Sequence, residues 1–115
     1  MSLQVQSRQE KGVTVVTPRG RLTLDYGSLL HDEVKRVVEG GARRVLVDLS
    51  AVEYVDSHGL GQMVACQTTL RRHDGQLRFA GLSQKLHRLI EMTSIPRILQ
   101  FDADLGTSIV KLSGA

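Results

Sequence analysis

The chain has 115 residues, of which 41% are hydrophobic and 23% are charged, and this composition is typical of one folded domain spanning 1–115 rather than of a disordered or fibrous chain. The formal net charge is +3, and the single cysteine, Cys66, excludes an intrachain disulfide and cannot by itself hold zinc. Only 3% of the residues are aromatic, so we expect an aliphatic core and no stacking on nucleic-acid bases.

The distribution of charge and hydropathy indicates a cytoplasmic protein with a solvated surface. The first ten residues are polar and lack the apolar segment of a signal peptide, and no later run approaches the roughly 20 apolar residues of a membrane span. The basic residues are scattered in short pairs, such as Arg43–Arg44 and Arg71–Arg72. Scattered pairs favour a solvated surface over a nucleic-acid interface, which needs basic residues gathered on one face.

The first residues of the chain predict a β-hairpin. β-Branched residues fill 13–17, a weaker strand precedes them near 3–7, and the turn residues Lys11–Gly12 lie between the two. We expect the second strand to end at Pro18 and Gly20, because proline lacks a backbone donor and glycine weakens a strand.

An amphipathic helix and a buried strand are predicted next. Apolar side chains recur at helical spacing in 28–39, and Gly40–Gly41 supplies a stop signal. The continuous apolar run at 45–49 then predicts a parallel strand that is covered on both faces, and residues 54–55 extend it.

The remaining chain continues to alternate between helices and strands. Residues 57–72 predict a second helix, closed by Asp74–Gly75, and 77–80 predict a strand. Ser83 is expected to cap a third helix that ends before Pro96, followed by a short strand at 98–101 and by a final helix capped at Asp104. This order predicts an α/β fold with a mixed sheet.

The segment at 56–61 lies between a strand and a helix, and it consists of Asp56, Ser57, His58, Gly59, Leu60 and Gly61. Loops of this kind collect functional groups, because the scaffold fixes them and leaves them exposed. Asp56 is expected to cap the free N–H groups of the helix. Gly59 and Gly61 each cost a helix about 1 kcal/mol relative to alanine, so each is expected to admit a close neighbour, either from the same fold or from a partner protein.

Ser57 has two interpretations. A serine at the start of a helix is commonly a plain N-terminal residue with no modification. A phosphate on Ser57 would instead place about −1.5 to −2 charges at the positive end of the helix dipole, where anions are tolerated. The phosphorylated chain would stay folded, and the new charge would repel a partner that docks over this loop.

Taken together, these motifs resemble the STAS domains of bacterial anti-sigma-factor antagonists. The likeness is carried by VLVDLS, YVDS and GLG and extends over nearly the whole chain, through residues 20–22, 45–50, 52, 54–57, 59–61, 75–79, 82–83, 86, 89, 92–93 and 98. The resemblance implies a single STAS domain with a mixed, mostly parallel sheet of four to five strands. It also implies about four helices, largely on one face of the sheet.

The resemblance further implies a partner-switching regulator that has no cofactor. The unphosphorylated antagonist would bind an anti-sigma factor, often a serine kinase, and so release the sigma factor, and a PP2C-type phosphatase would reset the cycle. The phosphoacceptor would be Ser57, the residue after the loop aspartate, and all six residues of the segment at 56–61, Leu60 included, would form the switch loop.

The resemblance also implies where a partner docks. The expected docking residues lie in the loop at 20–26 and on the second helix, and they are Arg21, Thr23, Asp25, Ser57, His58, Gly61 and Gln62. An exposed apolar docking face could also support weak dimers, so a monomer and a weak dimer both stay open.

Three positions depart from the pattern of that family. His58 stands where a second small polar residue is common, and Arg21 and Thr23 stand where many members carry acids. A protonated His58 could pair with a phosphate on Ser57, or it could be an exposed histidine with no such task. Asp25 could replace a missing acidic contact or simply occupy a turn.

Other functional classes fit the residues poorly. Asp56, Ser57 and His58 are consecutive, whereas a catalytic triad is assembled from separate elements, so an enzyme is not expected. The four histidines are dispersed without metal-binding spacing, and the chain lacks a phosphate-binding loop signature. The alternative is a STAS scaffold that regulates a membrane transporter or lipid-transport complex by constitutive contact without phosphorylation.

Overall fold

The structure, a computed structural model, describes residues 3–26 and 28–114. The strands are β1 (Gln4–Glu10), β2 (Val13–Leu22), β3 (Arg44–Asp48), β4 (Val52–Val55), β5 (Gln76–Ala80) and β6 (Phe101–Asp102). The helices are α1 (Leu29–Glu39), α2 (Ser57–Arg72), α3 (Gln84–Glu91) and α4 (Leu105–Leu112), and short 3-10 turns occupy Leu24–Tyr26 and Ile95–Arg97. The predicted α/β class with a mixed sheet is confirmed.

The sheet has the strand order β1-β2-β3-β5-β6, and β4 lies beside the second half of β2. Among the strands of the described residues, only the β1–β2 pair is antiparallel, and it is joined by the predicted turn, in which Lys11 and Gly12 both have positive φ. The other pairings are parallel. The carboxyl ends of these strands therefore lie at one edge of the sheet, where the segment at 56–61 is also found.

Both faces of the sheet are covered, as the apolar run in β3 predicts. Val45 and Val47 belong to the main core under α1, α2 and α3, whereas Leu46 faces a smaller cluster. That smaller cluster lies beneath α4 on the other face and contains Val13, Val15, Leu46, Ala80, Ile109 and Leu112. Three helices thus share one face, which agrees with the expected arrangement. Cys66 is completely buried in the main core, and burial raises the pKa of its thiol to about 12, so the residue acts as a small apolar side chain.

The sheet has six strands rather than four or five, because residues 52–55 form a strand of their own. After β3 the carboxylate of Asp48 accepts hydrogen bonds from the backbone N–H of Ser50 at 3.0 Å and from its hydroxyl at 2.6 Å. This turn ends β3, and the chain returns to pair with Gly20–Leu22 of β2. The predicted extension of the third strand is therefore a separate edge strand.

Two predicted boundaries are wrong. β2 continues through Pro18, which lies between the residues that pair with β3 and those that pair with β4. Neither parallel strand pairs with β2 at Pro18, so the missing N–H of this proline is tolerated there. The predicted strand at 98–101 is reduced to Phe101–Asp102, because the N–H groups of Ile98 and Leu99 both bond to the carbonyl of Ile95 in the second 3-10 turn.

Asp102 connects β6 to β5 and α4. Its side chain is only 2% exposed, and it accepts hydrogen bonds from Arg78 Nε at 2.6 Å and from Ser108 Oγ at 2.5 Å. The ammonium of Lys111 lies 2.8 Å from the other carboxylate oxygen. These partners, Arg78 first, hold the pKa of Asp102 far below its usual range, so the carboxylate is charged at neutral pH and anchors α4 to the sheet.

Candidate functional site

The segment at 56–61 forms the junction between β4 and α2. Asp56 has an extended backbone and is the N-cap residue, and Ser57 is the first residue of α2. The helix spans the residues that the sequence predicts, Ser57–Arg72. Ser57 is exposed, so its hydroxyl is accessible beside the first turn of the helix, where backbone N–H groups point outward.

The carboxylate of Asp56 ties two loops together. Its Oδ1 atom accepts a hydrogen bond from the N–H of Gly59 at 2.9 Å, and its Oδ2 atom accepts one from the N–H of Leu24 at 3.0 Å. The backbone N–H of Asp56 also donates to the carbonyl of Leu22, at 3.3 Å. The bonds from Gly59 and then Leu24 hold the pKa of Asp56 below its usual range. The start of α2 and the 3-10 turn at Leu24–Tyr26 are therefore held as one unit around a permanent negative charge.

Leu60, a member of the expected switch loop, lies in the first turn of α2, within the helix predicted over 57–72. The N–H of Leu60 donates to the carbonyl of Asp56 at 3.0 Å, which is the first bond of the α2 ladder. Its side chain is half-buried and packs against the main core. Only Asp56 of the six residues lies outside α2, so the segment at 56–61 is the N-cap and first turn of a helix, and Leu60 packs that turn against the main core.

The two glycines of this segment face different surroundings. A Cβ atom on Gly59 would lie 2.1 Å from the carbonyl oxygen of Leu22 and 2.9 Å from Val55 Cγ1. A Cβ atom on Gly61 would meet no described atom within 4 Å. Gly59 therefore serves internal packing of α2 against β2, whereas Gly61 leaves an exposed stretch of helix backbone one turn beyond Ser57.

The exposed members of the predicted docking set lie at the end of β2, in the 3-10 turn at Leu24–Tyr26 and in the first turns of α2. Arg21 and Asp25 are both exposed. The guanidinium of Arg21 lies 5.1 Å from the centre of the Tyr54 ring, which is within the range of a cation–π contact. His58 is half-buried, and its backbone N–H and its ring also lower the pKa of Asp56. These positions leave a charged rim around Ser57.

Two members of the predicted set are buried beneath this rim. Thr23 is 5% exposed and Gln62 is 4% exposed. The side-chain oxygen of Gln62 accepts a hydrogen bond from the N–H of His31 at 3.3 Å. The Thr23 hydroxyl and the Gln62 amide nitrogen contact no hydrogen-bond partner in the described residues. Direct contact with a partner requires exposure, so we exclude these two side chains from the docking surface.

Sequence reasoning missed two exposed apolar side chains in the stretch from the end of β2 to the first residue of α1. Leu24 is 68% exposed and Leu29 is 43% exposed. Leu24 lies in the 3-10 turn held by Asp56, and Leu29 begins α1 next to the buried stripe of Leu30, Val34 and Val38. The available signal was that Leu29 falls outside the helical spacing of that stripe. Exposed apolar residues next to a charged rim are typical of a protein-binding surface.

The bonds of Asp56 predict the effect of an isosteric replacement. Asp56→Asn leaves one acceptor oxygen for two backbone donors and turns an amide group toward one of them, so we expect the free energy of unfolding to fall by about 1–2 kcal/mol. Urea unfolding at neutral pH measures the change. Asp25→Asn is the matched control, with an expected change within about 0.5 kcal/mol, because Asp25 is exposed. Equal effects of the two variants would contradict this role of Asp56.

Curated relatives of this chain include proteins named anti-sigma-B factor antagonist. The chain is 41% identical over 68 residues to the anti-sigma-B factor antagonist of Listeria monocytogenes, an alignment that covers 59% of this chain and 58% of that protein. It is 27% identical over 99 residues to the anti-sigma-B factor antagonist of Staphylococcus aureus, covering 86% of this chain and 92% of the relative. The Listeria alignment thus spans somewhat more than half of that relative's length.

Solved structures share the fold. An anti-sigma factor antagonist from Mycobacterium paratuberculosis superposes with a TM-score of 0.85 at 22% identity, over 96% of this chain and 94% of that one. The Bacillus cell fate determinant SpoIIAA in its phosphorylated form superposes with a TM-score of 0.67 at 14% identity, over 96% and 98% of the two chains. At these identities the likeness shows the fold alone.

A family model covers most of the chain. The model described as "Mlab, STAS domain" matches residues 5–100. The match contains β2 to β5, all but the first residue of β1, and the three helices α1, α2 and α3. The chain therefore belongs to the STAS domain family.

Proposed function

We propose that this protein is an anti-sigma-factor antagonist whose binding is switched off by phosphorylation of Ser57. The observation that carries the proposal is the exposed Ser57 hydroxyl at the first position of α2, next to a loop that Asp56 holds in place. The names of the Listeria and Staphylococcus relatives support this role. In the unphosphorylated state the protein would bind an anti-sigma factor in the cytoplasm and release the sigma factor.

The switch would act through charge rather than through a change of fold. Asp56 is already ionised at neutral pH, because its two backbone hydrogen bonds lower its pKa. A phosphate on Ser57 would add about −1.5 to −2 further charges. The helix N-terminus tolerates these charges, so α2 stays folded. A partner surface that carries carboxylates or apolar groups over Ser57 would be repelled and would lose its contacts. SpoIIAA, which shares the fold, is described in a phosphorylated form.

The proposed docking surface combines the charged rim with apolar anchors. The rim consists of Arg21, Asp25 and His58 around Ser57 and Gly61, and the anchors are Leu24 and Leu29. Apolar anchors supply most of the affinity at protein interfaces, whereas exposed rim charges mainly set specificity and association rate. The anti-sigma factor would itself be the serine kinase, and a PP2C-type phosphatase would restore the binding state.

Among residues 3–26 and 28–114, no helix combines the length and the apolar character that crossing a bilayer requires. The alternative, a STAS scaffold that regulates a membrane transporter or lipid-transport complex, would bind its partner without regard to phosphorylation. A charge-mimicking variant of Ser57 therefore distinguishes the two functions.

The test is calorimetric titration of the cognate anti-sigma factor with wild type, Ser57→Ala and Ser57→Asp. We expect Ser57→Ala to bind like the wild type and Ser57→Asp to bind at least about tenfold more weakly, a loss of about 1.4 kcal/mol. Ser83→Asp is the matched control, because Ser83 is the N-cap of α3 and is not among the proposed docking residues, and aspartate is an equally good cap. Binding of Ser57→Asp at wild-type strength would overturn the switch.

A further inference from the structure

A second candidate site lies at the end of the sheet opposite Ser57. A groove of about 750 Å³ opens between the β1–β2 turn, the end of α1 and the start of β3, and its lining includes Gly12, Gly40 and Arg44. Ser57 follows the carboxyl end of a parallel strand, whereas this groove lies at the amino end of β3. The groove is therefore separate from the docking surface proposed above.

The groove is lined by four arginines, Arg8, Arg36, Arg43 and Arg44, and its lining contains no aspartate or glutamate among the described residues. Two of these guanidinium groups have carboxylate partners from outside the lining. Arg8 pairs with Glu10 at 2.9 Å, and Arg36 pairs with Glu33 at 2.6 Å. The groove therefore keeps a surplus of positive charge that depends on the other two arginines.

The side-chain hydrogen bonds of Arg43 and Arg44 within the described part of the chain go only to carbonyl oxygens. Arg43 donates to the carbonyls of Val38 and Ala42 at 2.9 and 2.8 Å, and Arg44 approaches the carbonyl of Ser113 at 3.5 Å. Arg43 thereby covers the negative end of α1. A guanidinium has five N–H donors, so each of these side chains keeps donors for a ligand. The net surplus in the groove is about two positive charges.

The chemistry of this surplus favours phosphate oxygens. The planar fork of arginine matches phosphate geometry with two parallel hydrogen bonds. The volume lies within the range of about 300–1,000 Å³ that small-molecule sites occupy. None of the exposed large apolar side chains lines the groove, so nothing there would insert into a lipid surface. We propose that the groove binds a free small ligand that carries at least two phosphate charges.

The proposal is tested by calorimetric titration of the full chain with pyrophosphate and tripolyphosphate at about 50 mM salt, where surface charges are weakly screened. We expect saturable binding, weakened at least about tenfold in Arg43→Gln/Arg44→Gln. The matched control is Arg71→Gln/Arg72→Gln, which removes the same charge from the exposed end of α2 and is expected to change the affinity less than about twofold. Absent binding, or an equal loss in the two double variants, would overturn the site.

A second double variant and two competing ligands complete the test. Arg8→Gln/Arg36→Gln removes the other two arginines of the groove, and we expect it to weaken binding at least about threefold. It replaces the first double variant if that protein proves too unstable to titrate. Vesicles of phosphatidylcholine with phosphatidic acid should not sediment the protein, and a polyglutamate peptide should bind more weakly than tripolyphosphate. Vesicle binding, or tighter binding of the peptide, would overturn the assignment of a free phosphate-bearing ligand.

Discussion

Gly59→Ala is expected to lower the free energy of unfolding by about 3 kcal/mol or more, at the upper end of overpacking effects. The new methyl group would lie 2.1 Å from the carbonyl oxygen of Leu22, which also accepts the N–H of Asp56. Because this obstacle is backbone that is already bonded, α2 has to move away from β2. The movement would also separate Asp56 from its partner at Leu24. Urea unfolding of the wild type and the variant measures the loss.

Gly61→Ala is the matched control in the same helix, and its expected effect has the opposite sign. The added methyl group meets no described atom within 4 Å, so the variant gains the helix propensity of alanine, about 0.5–1 kcal/mol. The contrast tests whether Gly59 is required by internal packing. If Gly59→Ala were as stable as Gly61→Ala, the close approach of α2 to β2 would be wrong.

Asp102→Asn is expected to destabilise the protein by about 3 kcal/mol, because removing one partner of a buried ion pair leaves the charge of the other partner uncompensated. Arg78 is 20% exposed on its side chain and loses its only carboxylate partner in the described residues, whereas the half-exposed Lys111 adds little. The control is Glu10→Gln, which breaks the exposed pair with Arg8 and should cost less than about 0.5 kcal/mol.

The depressed pKa of Asp102 also predicts the acid dependence of stability. The carboxylate titrates near 3.9 in the unfolded chain and well below that in the folded chain. Its contribution is therefore fully present above about pH 4 and is lost as the pH falls through the folded pKa. Unfolding curves between about pH 5 and 2 should fall less steeply for Asp102→Asn than for the wild type. Parallel curves would contradict a charged, buried Asp102.

Much of the fold could be predicted because its signals are local. α2 begins and ends where predicted, since Asp56 supplies a cap and Asp74–Gly75 supplies a turn. Ser83 and Asp104 cap α3 and α4 through single side-chain bonds to nearby N–H groups. The continuation of β2 through Pro18 could not be predicted, because it depends on which strands lie on either side of that residue.

The candidate site also has some features that local sequence predicts and others that depend on long-range packing. The accessible Ser57 follows from its place at a helix start, but the different tasks of Gly59 and Gly61 depend on the position of Leu22, which lies more than thirty residues away in the chain. The burial of Gln62 likewise depends on packing against α1, and the inward turn of Leu60 depends on the core beneath α2. Helical periodicity does not distinguish these neighbours.

The basic groove could not be predicted from the order of charged residues along the chain. Arg43–Arg44 looks like an ordinary solvated pair in the sequence, and Arg8 and Arg36 lie far from it in the chain. The hairpin and the end of α1 bring the four side chains around one opening. The clustering of these charges thus results from the folded topology, whereas the composition gives only a net charge of +3.

The position of α4, alone among the described helices on its face of the sheet, has a consequence for local stability. The helix contributes two residues to a buried cluster of six, covers the other four on the sheet, and shares none of the six with the main core. It can therefore open while the main core persists, so its amide hydrogens should exchange with solvent sooner than those of β3 and β5. Each such opening would expose an aliphatic surface to solvent. The hydrogen bonds that Ser108 and Lys111 donate to Asp102 oppose this opening and so lower its frequency.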